Sequence, residues 1–472
     1  MKNTKIKYLF IVLFTAFLTV QCDSGFEEEN TNPNDPTTAP SSAFLAGNLR
    51  TLANTVNNTG RVGEYAGTWV QQVQKAQYND ADLYQVTRSD MGNLWNLMYR
   101  TIGKLTDMQR LATTEGNKKM EAVAIILKSY YFQMITDTWG YAPYSEAAQF
   151  AEGNFTPVFD SPETIYEGLY NDLTNASNLL DMAGTIDPSQ DTLYQGNAAN
   201  WKAFANSLLF RLIMRGQNFA NFDHTADLSA IAMNTFSGNA QEAKFQFLPA
   251  EPNANPYFED LVQTSREGEW AVGEQLVHMM DGTLLGPDAR LQVYAKPNAN
   301  GNYVGLPAGL EEPGVDFALE PSQIGTAYVT ADSYAYFITY AQVQLLKAEA
   351  VEKGYMGGSA ATFYADGITA SFANNGVGLA GYSTAYNGGA AGLQQIAEQE
   401  YIALFMQPLE AFAEWRRTGF PVLTVGPAAV LNEVPSRFLY PIEEESLNAA
   451  NYQAALSAQG ADVLTTHIAW MQ

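Results

Sequence analysis

The helical character of the chain is clearest in the stretch Asn117-Lys-Lys-Met-Glu-Ala-Val-Ala-Ile-Ile-Leu-Lys-Ser-Tyr-Tyr-Phe-Gln-Met-Ile-Thr136. Its apolar residues recur at intervals of three and four positions: Met120, Val123, Ala124, Leu127, Tyr131, Met134 and Ile135. This spacing places them along one stripe of a helix surface. The sequence therefore predicts an amphipathic α-helix over residues 117–136.

The same helical period recurs along the chain, whereas strand-like alternation is scarce. Further helices are predicted over residues 42–56, 61–76, 89–112, 162–182, 197–219, 331–353, 359–374 and 392–416. Pairs of helices of about twenty residues, joined by short polar links, are the plan of a tetratricopeptide-like array, in which each pair buries its apolar face against the next. The strict repeat signature is absent. The predicted fold is therefore all-α, a degenerate tetratricopeptide-like array of helical hairpins.

The helical period fails between about residues 235 and 330, where Gly, Pro and Asn are dense and aromatic residues are scattered. This segment, together with 137–160, 376–391 and 417–472, is predicted to form long irregular loop insertions on the helical frame. Loops held on a rigid frame often carry binding residues. Residues 41–472 are interpreted as one helical domain with an irregular insertion at about 235–330.

The amino terminus has the pattern of an exported bacterial lipoprotein. Three lysines precede an apolar run over residues 8–20, which suits a signal peptide and is short for a bilayer-spanning helix. Cys22 is the only cysteine, and its place directly after the run indicates a lipidated first residue. The predictions are a signal peptide over residues 1–21 and a lipidated, acidic and proline-rich tether over residues 22–40. A signal peptide cut elsewhere, with an idle cysteine, is the alternative.

Composition excludes nucleic acid as a partner. Asp and Glu number 50 against 25 Lys and Arg, which gives a formal net charge of -25. Phosphate binding depends on clustered cations, which this chain lacks in sequence. Charged residues make up only 16% of the chain, so the surface is predicted to be largely neutral and polar.

The search for metal and cofactor sites yields no candidate. The three histidines, His224, His278 and His467, are far apart and share no spacing that would place two ligands on one helical turn. The acidic surplus is compatible with a structural Ca²⁺ ion, but no Asp-rich loop has the twelve-residue calcium spacing. The sequence therefore predicts no cofactor and identifies no metal ligand.

Paired carboxylates are the remaining route to an enzyme. Glu410 and Glu414 lie four positions apart on one predicted helix and precede Arg416 and Arg417. A glycosidase needs two carboxyl groups that face each other across a bond, roughly 5 to 10 Å apart. Neighbours on one helix point the same way, so these acids are interpreted as ion-pair partners of the two arginines. The prediction is a protein that is not an enzyme.

Six stretches in chain order resemble the motifs of a known family. They are Asn32 to Thr37; Tyr131 to Asp137 with Gly140 and Pro143 to Ala147; Trp201 to Leu208 with Arg211 and Arg215; Leu345 to Ala350; Glu410 to Phe412 with Trp415 to Pro421; and Arg437 with Tyr440, Pro441, Glu443 to Glu445, Asn448, Asn451 and Tyr452. Taken together, they make the chain similar to the starch-utilisation D/RagB (SusD/RagB) family of nutrient-binding outer-membrane lipoproteins, most closely to its SusD-like branch.

The resemblance implies a tetratricopeptide-like frame and a lipid-anchored protein exposed on the outer membrane. Such a protein captures an oligosaccharide, less often a peptide, and delivers it unaltered to a SusC-like TonB-dependent β-barrel transporter. Two other functions stay open from the residues alone: a secreted all-helical glycoside hydrolase, and a surface scaffold or adhesin. Ligand-contacting residues vary with the nutrient in this family, so none is transferred to this chain.

Physical chemistry supplies the candidate site. Sugars present C–H faces and hydroxyl rims, so a sugar site needs exposed aromatic rings with Asn, Gln, Asp or Arg at their edges. For each single aromatic, burial in the core is the alternative. The predicted ligand-binding residues are Trp69, Gln72, Tyr78, Asn79, Asp82 and Tyr84 in a first region, and Arg266, Trp270, Tyr294, Tyr303 and Tyr328 in a second.

Overall fold

Helices that pack one against the next build the frame of the protein in a computed structural model, which describes residues 39–311, 320–379 and 381–471. The prediction of a mostly helical, tetratricopeptide-like fold is confirmed. The predicted signal peptide, Cys22 and residues 23–38 of the predicted tether lie outside the described residues. The helices are α1 (Leu45–Val56), α2 (Arg88–Glu115), α3 (Lys118–Trp139), α4 (Pro162–Leu179), α5 (Ala198–Gly216), α6 (Leu228–Ala232), α7 (Glu274–Met280), α8 (Leu291–Tyr294), α9 (Tyr340–Glu352), α10 (Ala360–Asn374), α11 (Gly389–Ala403), α12 (Pro408–Thr418), α13 (Ile442–Leu447) and α14 (Ala449–Gln459).

The helix predicted over residues 117–136 is α3, and it is the central helix of the frame. Gly116, with φ +69°, ends α2, and the Asn117 side chain accepts a hydrogen bond from the Met120 backbone at the start of α3. The prediction of a single buried stripe on α3 is too narrow. Nearly every residue from Ala122 to Trp139 is buried. The reason is that α2, α4, α5 and α12 all pack against α3.

In the described part of the chain, four short strands interrupt the helices: β1 (Val73–Lys75), β2 (Ala243–Gln246), β3 (Trp270–Val272) and β4 (Tyr334–Ile338). They form two antiparallel pairs, β1 with β3 and β2 with β4. Two predicted helices are wrong for this reason. Residues 61–76 form a π-helical segment, Thr59–Gly67, followed by β1, and residues 331–353 form β4 followed by α9. Along β4, Tyr334 and Tyr336 lie on the outer face while Ala335 and Phe337 are buried, which is the two-residue period of a strand.

Other predicted boundaries also differ. The helix predicted over 392–416 is two helices, because Pro408 opens α12 and cannot continue the hydrogen bonding of α11. The insertion at 235–330 contains β2, α7, β3 and α8, and the segment 417–472 contains α13 and α14, so both are less irregular than expected. The remaining helical segments are the π-helical Phe258–Val262 and the 3₁₀ segments Ser41–Phe44, Phe150–Glu152, Thr225–Asp227, Asn239–Gln241, Glu267–Glu269 and Thr326–Tyr328.

Buried ion pairs tie the helices of the frame together. Arg215 on α5 is fully buried and donates hydrogen bonds to Asp137 on α3 and to Glu410 and Glu414 on α12. Arg417 on α12 pairs with Glu414 at 2.6 Å. A second set of contacts extends this cluster to α9 and to a neighbouring arginine of α5: Glu349 with Arg417 at 2.7 Å, and Glu410 with Arg211 at 3.1 Å.

The pKa of Glu349 shows that the ion pairs outweigh burial. Burial alone would raise this pKa, but the charge and hydrogen bonds of Arg417 lower it to about 2. Glu349 is therefore ionised over the whole physiological range.

Among the helices in the described part of the chain, none combines the length and the apolar character that crossing a membrane requires.

Candidate functional site

The fold brings the two predicted ligand-binding regions together. Strand β1, just before Tyr78, pairs with β3, just after Arg266, with Val73 opposite Val272. The Asn79 side chain then donates a hydrogen bond to the Leu310 carbonyl. We call the surface formed by Tyr78 and Arg266 the Tyr78 face.

Tyr78 is the exposed ring of this face, with 61% of the residue accessible. Its backbone adopts φ +55°, in the left-handed region that few non-glycine residues occupy. Such backbone conformations persist when surrounding contacts hold them, and they are found preferentially at binding sites. Here the anchored Asn79 amide is one such contact.

Arg266 supplies a fixed cation at the edge of the Tyr78 face. Its guanidinium donates two hydrogen bonds to Glu269, at 2.8 and 2.6 Å, and lies 3.4 Å from Asp260. The hydrogen bonds that Arg266 donates to Glu269 are the main reason that the pKa of Arg266 is raised, and the nearby Tyr78 phenol adds to the effect. The side chain is 42% exposed, so N–H groups not used by the carboxylates can reach a ligand.

Four predicted aromatic platforms are instead buried. Trp69 is 0% exposed, Tyr84 4%, Trp270 3% and Tyr294 1%, so none can present a ring face to a ligand. Trp69 donates from its indole N–H to the Ala81 carbonyl at 3.0 Å and so supports the loop that carries Tyr78. Tyr294 stacks on Phe405 at 4.4 Å between ring centroids. These rings close the core beneath the loops that carry Tyr78 and Arg266.

The predicted polar contacts are also buried, and they hold loops in place. The Gln72 amide donates to the Tyr401 carbonyl at 2.6 Å, and one carboxylate oxygen of Asp82 accepts from the Lys75 backbone N–H at 2.8 Å. Gln72, Asn79 and Asp82 are each less than 5% exposed. Their side chains position the backbone of the Tyr78 loop.

Asp82 gives this loop a pH dependence that can be measured. Burial is the largest cause that raises the pKa of Asp82 from 3.8 to about 8. Between these values the folded protein keeps a proton that the unfolded chain releases. Because the folded protein holds this proton more tightly, protonation of Asp82 stabilises the fold. This stabilisation is complete below pH 3.8 and is lost as the pH rises to about 8.

We therefore expect Asp82→Asn to have a flatter pH dependence of stability than the wild type. Urea denaturation midpoints at about pH 5 and about pH 8 measure the difference, because the amide cannot titrate. Other ionisable groups change both proteins equally. The same slope in both proteins would contradict this role of Asp82.

Tyr303 and Tyr328 are half-buried. Tyr303 packs against the main core, whereas Tyr328 donates from its hydroxyl to the Asn375 side chain at 2.6 Å. Tyr328 lines a separate groove with Tyr334 and Tyr336. Tyr334 and Tyr336 were not among the predicted site residues, because residues 331–353 were predicted to be a helix. The alternation of Tyr334, Ala335, Tyr336 and Phe337 was the signal that could have revealed them.

The acids considered for catalysis belong to the buried ion pairs. Glu410 and Glu414 both contact Arg215, and Glu414 also pairs with Arg417, as predicted. The predicted pairing with Arg416 is wrong, because its guanidinium donates to three backbone carbonyls. Burial favours a raised pKa for Glu410, but Arg211 and Arg215 lower it.

Metal binding has no candidate cluster in the described ranges: within them, no three His, Cys, Asp or Glu side chains are placed to hold an ion. His224 lies beside Glu167 at 2.9 Å.

Several solved structures share this fold, and no curated protein sequence matches the chain. A chitin-binding protein is 24% identical with a TM-score of 0.77, over 91% of this chain and 100% of that one. A chitin-binding SusD homolog from Flavobacterium johnsoniae is 22% identical with a TM-score of 0.78, over 90% and 98%. A SusD homolog from Bacteroides uniformis is 23% identical with a TM-score of 0.79, over 91% and 99%.

The family itself is shown by sequence. Residues 33–441 match the family model SusD-like_2, whose description reads "Starch-binding associating with outer membrane". This match covers most of the chain and most of the motif residues from which the resemblance was predicted; Asn32 and the motif residues after Pro441 lie outside it. The chain therefore belongs to the SusD-like family.

Proposed function

We propose that the protein is a nutrient-binding lipoprotein of the outer membrane that binds oligosaccharides at the Tyr78 face and delivers them to a SusC-like TonB-dependent transporter. The observation that carries this proposal is the family match over residues 33–441, whose description names starch binding and the outer membrane. Two structural neighbours that are named as chitin-binding proteins support the same ligand class. The lipid at Cys22, exposure on the cell surface and delivery to the transporter are parts of the same proposal.

The Tyr78 face has the chemistry that a neutral sugar requires. An exposed phenol ring offers an apolar plane for the C–H face of a pyranose, and the Arg266 guanidinium beside it offers N–H donors for hydroxyl groups. Arg266 pairs with two carboxylates, Glu269 and Asp260, so the face has no surplus positive charge for an anionic ligand. A neutral oligosaccharide fits this balance better than an anionic one.

The position of two acids supports binding without chemistry. The side chains of Glu410 and Glu414 are 11% and 4% exposed, and both contact arginines, so both acids are engaged in ion pairs. We therefore propose that the ligand is passed on unaltered.

The function can be tested by titrating the chain from Asp23 onwards, which keeps every described residue, with maltotriose, chitotriose and a mixture of short peptides. Saturable binding of a sugar supports the proposal. Saturable binding of peptides alone would show that the ligand is a peptide and not an oligosaccharide. Release of shortened sugars would indicate the hydrolase, and no binding of any small ligand would favour a scaffold or adhesin.

We expect Tyr78→Ala to weaken binding of the sugar that the wild type binds by roughly 1 to 3 kcal/mol, because the stacking plane is lost. Isothermal titration calorimetry measures this change. Phe155→Ala is the matched control, because Phe155 is 64% exposed on a different loop and its loss should leave affinity unchanged. Equal affinities of Tyr78→Ala and wild type would remove Tyr78 from the site.

A further inference from the structure

A second groove, of about 350 Å³, lies between the β2–β4 pair and the end of α10. Three tyrosines line it, Tyr328, Tyr334 and Tyr336, with Asn374 and Asn375 on the opposite side. Its volume falls in the range of about 300 to 1,000 Å³ that is usual for small-molecule sites. The Tyr78 face shares none of these residues.

The strand geometry of β4 directs two of the rings into this groove. Tyr334 and Tyr336 are two positions apart, so they lie on the same side of the strand, with ring centroids 6.1 Å apart. Tyr334 is 38% exposed and Tyr336 is half-buried. Within the described ranges, no residue forms a hydrogen bond with the hydroxyl of either tyrosine. Both hydroxyls can therefore bond to a ligand.

The asparagines opposite are held by the protein in fixed orientations. The Asn375 carbonyl oxygen accepts from the Tyr328 hydroxyl, and its amide donates to the Ser371 carbonyl at 2.8 Å. The Asn374 amide donates to Glu242 at 3.2 Å. Each side-chain carbonyl oxygen has a second lone pair, so each can still accept from a ligand hydroxyl.

The charged groups at the groove leave no surplus cation, because Lys244 faces Glu242 and Asp332 also lines the groove. The Lys244 ammonium lies 5.2 Å from the centroid of Tyr334 and 5.8 Å from that of Tyr336, and 3.4 Å from Glu242. The resulting surface combines apolar rings, oriented amides and unengaged hydroxyls without a surplus cation for a phosphate or carboxylate. This combination matches a neutral pyranose, which has an apolar face and a hydroxyl rim.

We infer that this groove is a second carbohydrate-binding site, for a short neutral oligosaccharide. The ligand class rests on the proposed function, whereas the site rests on the groove itself. Two sites on one chain would hold a long polysaccharide more tightly than a trisaccharide, because binding at one site raises the local concentration at the other.

The test titrates wild type, Tyr78→Ala, Tyr334→Ala and the double variant with maltotriose and with chitotriose. For the sugar that binds, the wild type should show two sites and each single variant one. In the double variant, the affinity for that sugar should fall by at least about tenfold at both sites. Tyr334→Leu preserves the strand and apolar bulk but not the ring plane, so it should match Tyr334→Ala even if the alanine weakens β4. Tyr336→Phe should weaken the same site by removing a hydroxyl.

The outcomes separate this inference from the proposed function. One site in the wild type, lost in Tyr78→Ala and unchanged in Tyr334→Ala and Tyr334→Leu, would overturn the second site and leave the proposed function intact. One site, lost in the Tyr334 variants and unchanged in Tyr78→Ala, would support the groove and overturn the Tyr78 face. No binding of either sugar to wild type would overturn both.

Discussion

Replacing Arg215 by methionine is expected to lower the free energy of unfolding by about 3 to 5 kcal/mol. Arg215 is fully buried and contacts three carboxylates, Asp137, Glu410 and Glu414. Methionine fills a similar space but leaves these negative charges inside the frame without their shared cation. Urea denaturation followed by circular dichroism measures the loss.

The matched control is Arg110→Met, which removes an arginine from an exposed ion pair with Asp107. Exposed pairs contribute about 0 to 1 kcal/mol, so this variant should unfold almost like the wild type. The loss in Arg215→Met should shrink in acid, because protonation removes the uncompensated charges. Similar stabilities of the two variants would show that the buried cluster does not hold the helices together.

Replacing Trp69 by alanine is expected to cost about 3 to 5 kcal/mol of stability, because it opens a large cavity in the core. The Trp69 ring packs against Phe438 at 5.2 Å and Phe412 at 5.6 Å between centroids. Its indole N–H also supports the Ala81 carbonyl, so the loop of Tyr78 should become more mobile. Thermal denaturation and hydrogen exchange of residues 77–85 measure the two effects.

Tyr78→Ala is the matched comparison for Trp69→Ala, since it removes an exposed aromatic ring from the same loop region and should change stability by about 0.5 kcal/mol or less. The pair of variants separates support of the loop from contact with the ligand. If the Trp69→Ala protein is as stable as the wild type but binds no sugar, Trp69 contacts the ligand and does not act only as support for the loop.

The helical frame could be predicted because its signal is local. The spacing of Met120, Val123 and Leu127 is enough to predict α3, and its neighbours follow by the same period. Strand β4 could not be predicted in this way. Its residues adopt a strand because they pair with β2, which lies far earlier in the chain, and the helical pattern of α9 directly follows it.

The candidate site could be predicted only in outline. The two aromatic regions do meet, and Tyr78 and Arg266 are exposed there. Which rings turn inward could not be predicted, because Trp69 is buried by Phe412 and Phe438, which lie near the other end of the chain. The Tyr334 and Tyr336 groove was missed for a similar reason: it depends on the pairing of two distant strands.

The buried cluster around Arg215 also sets the order in which a newly made chain can mature. Asp137 precedes Arg215, but Glu410 is synthesised 195 residues after Arg215, and Glu414 follows it. Until then α5 carries a cation with one of its three counter-ions, which opposes early burial. We therefore expect this part of the nascent chain to stay loosely folded until α12 has been synthesised.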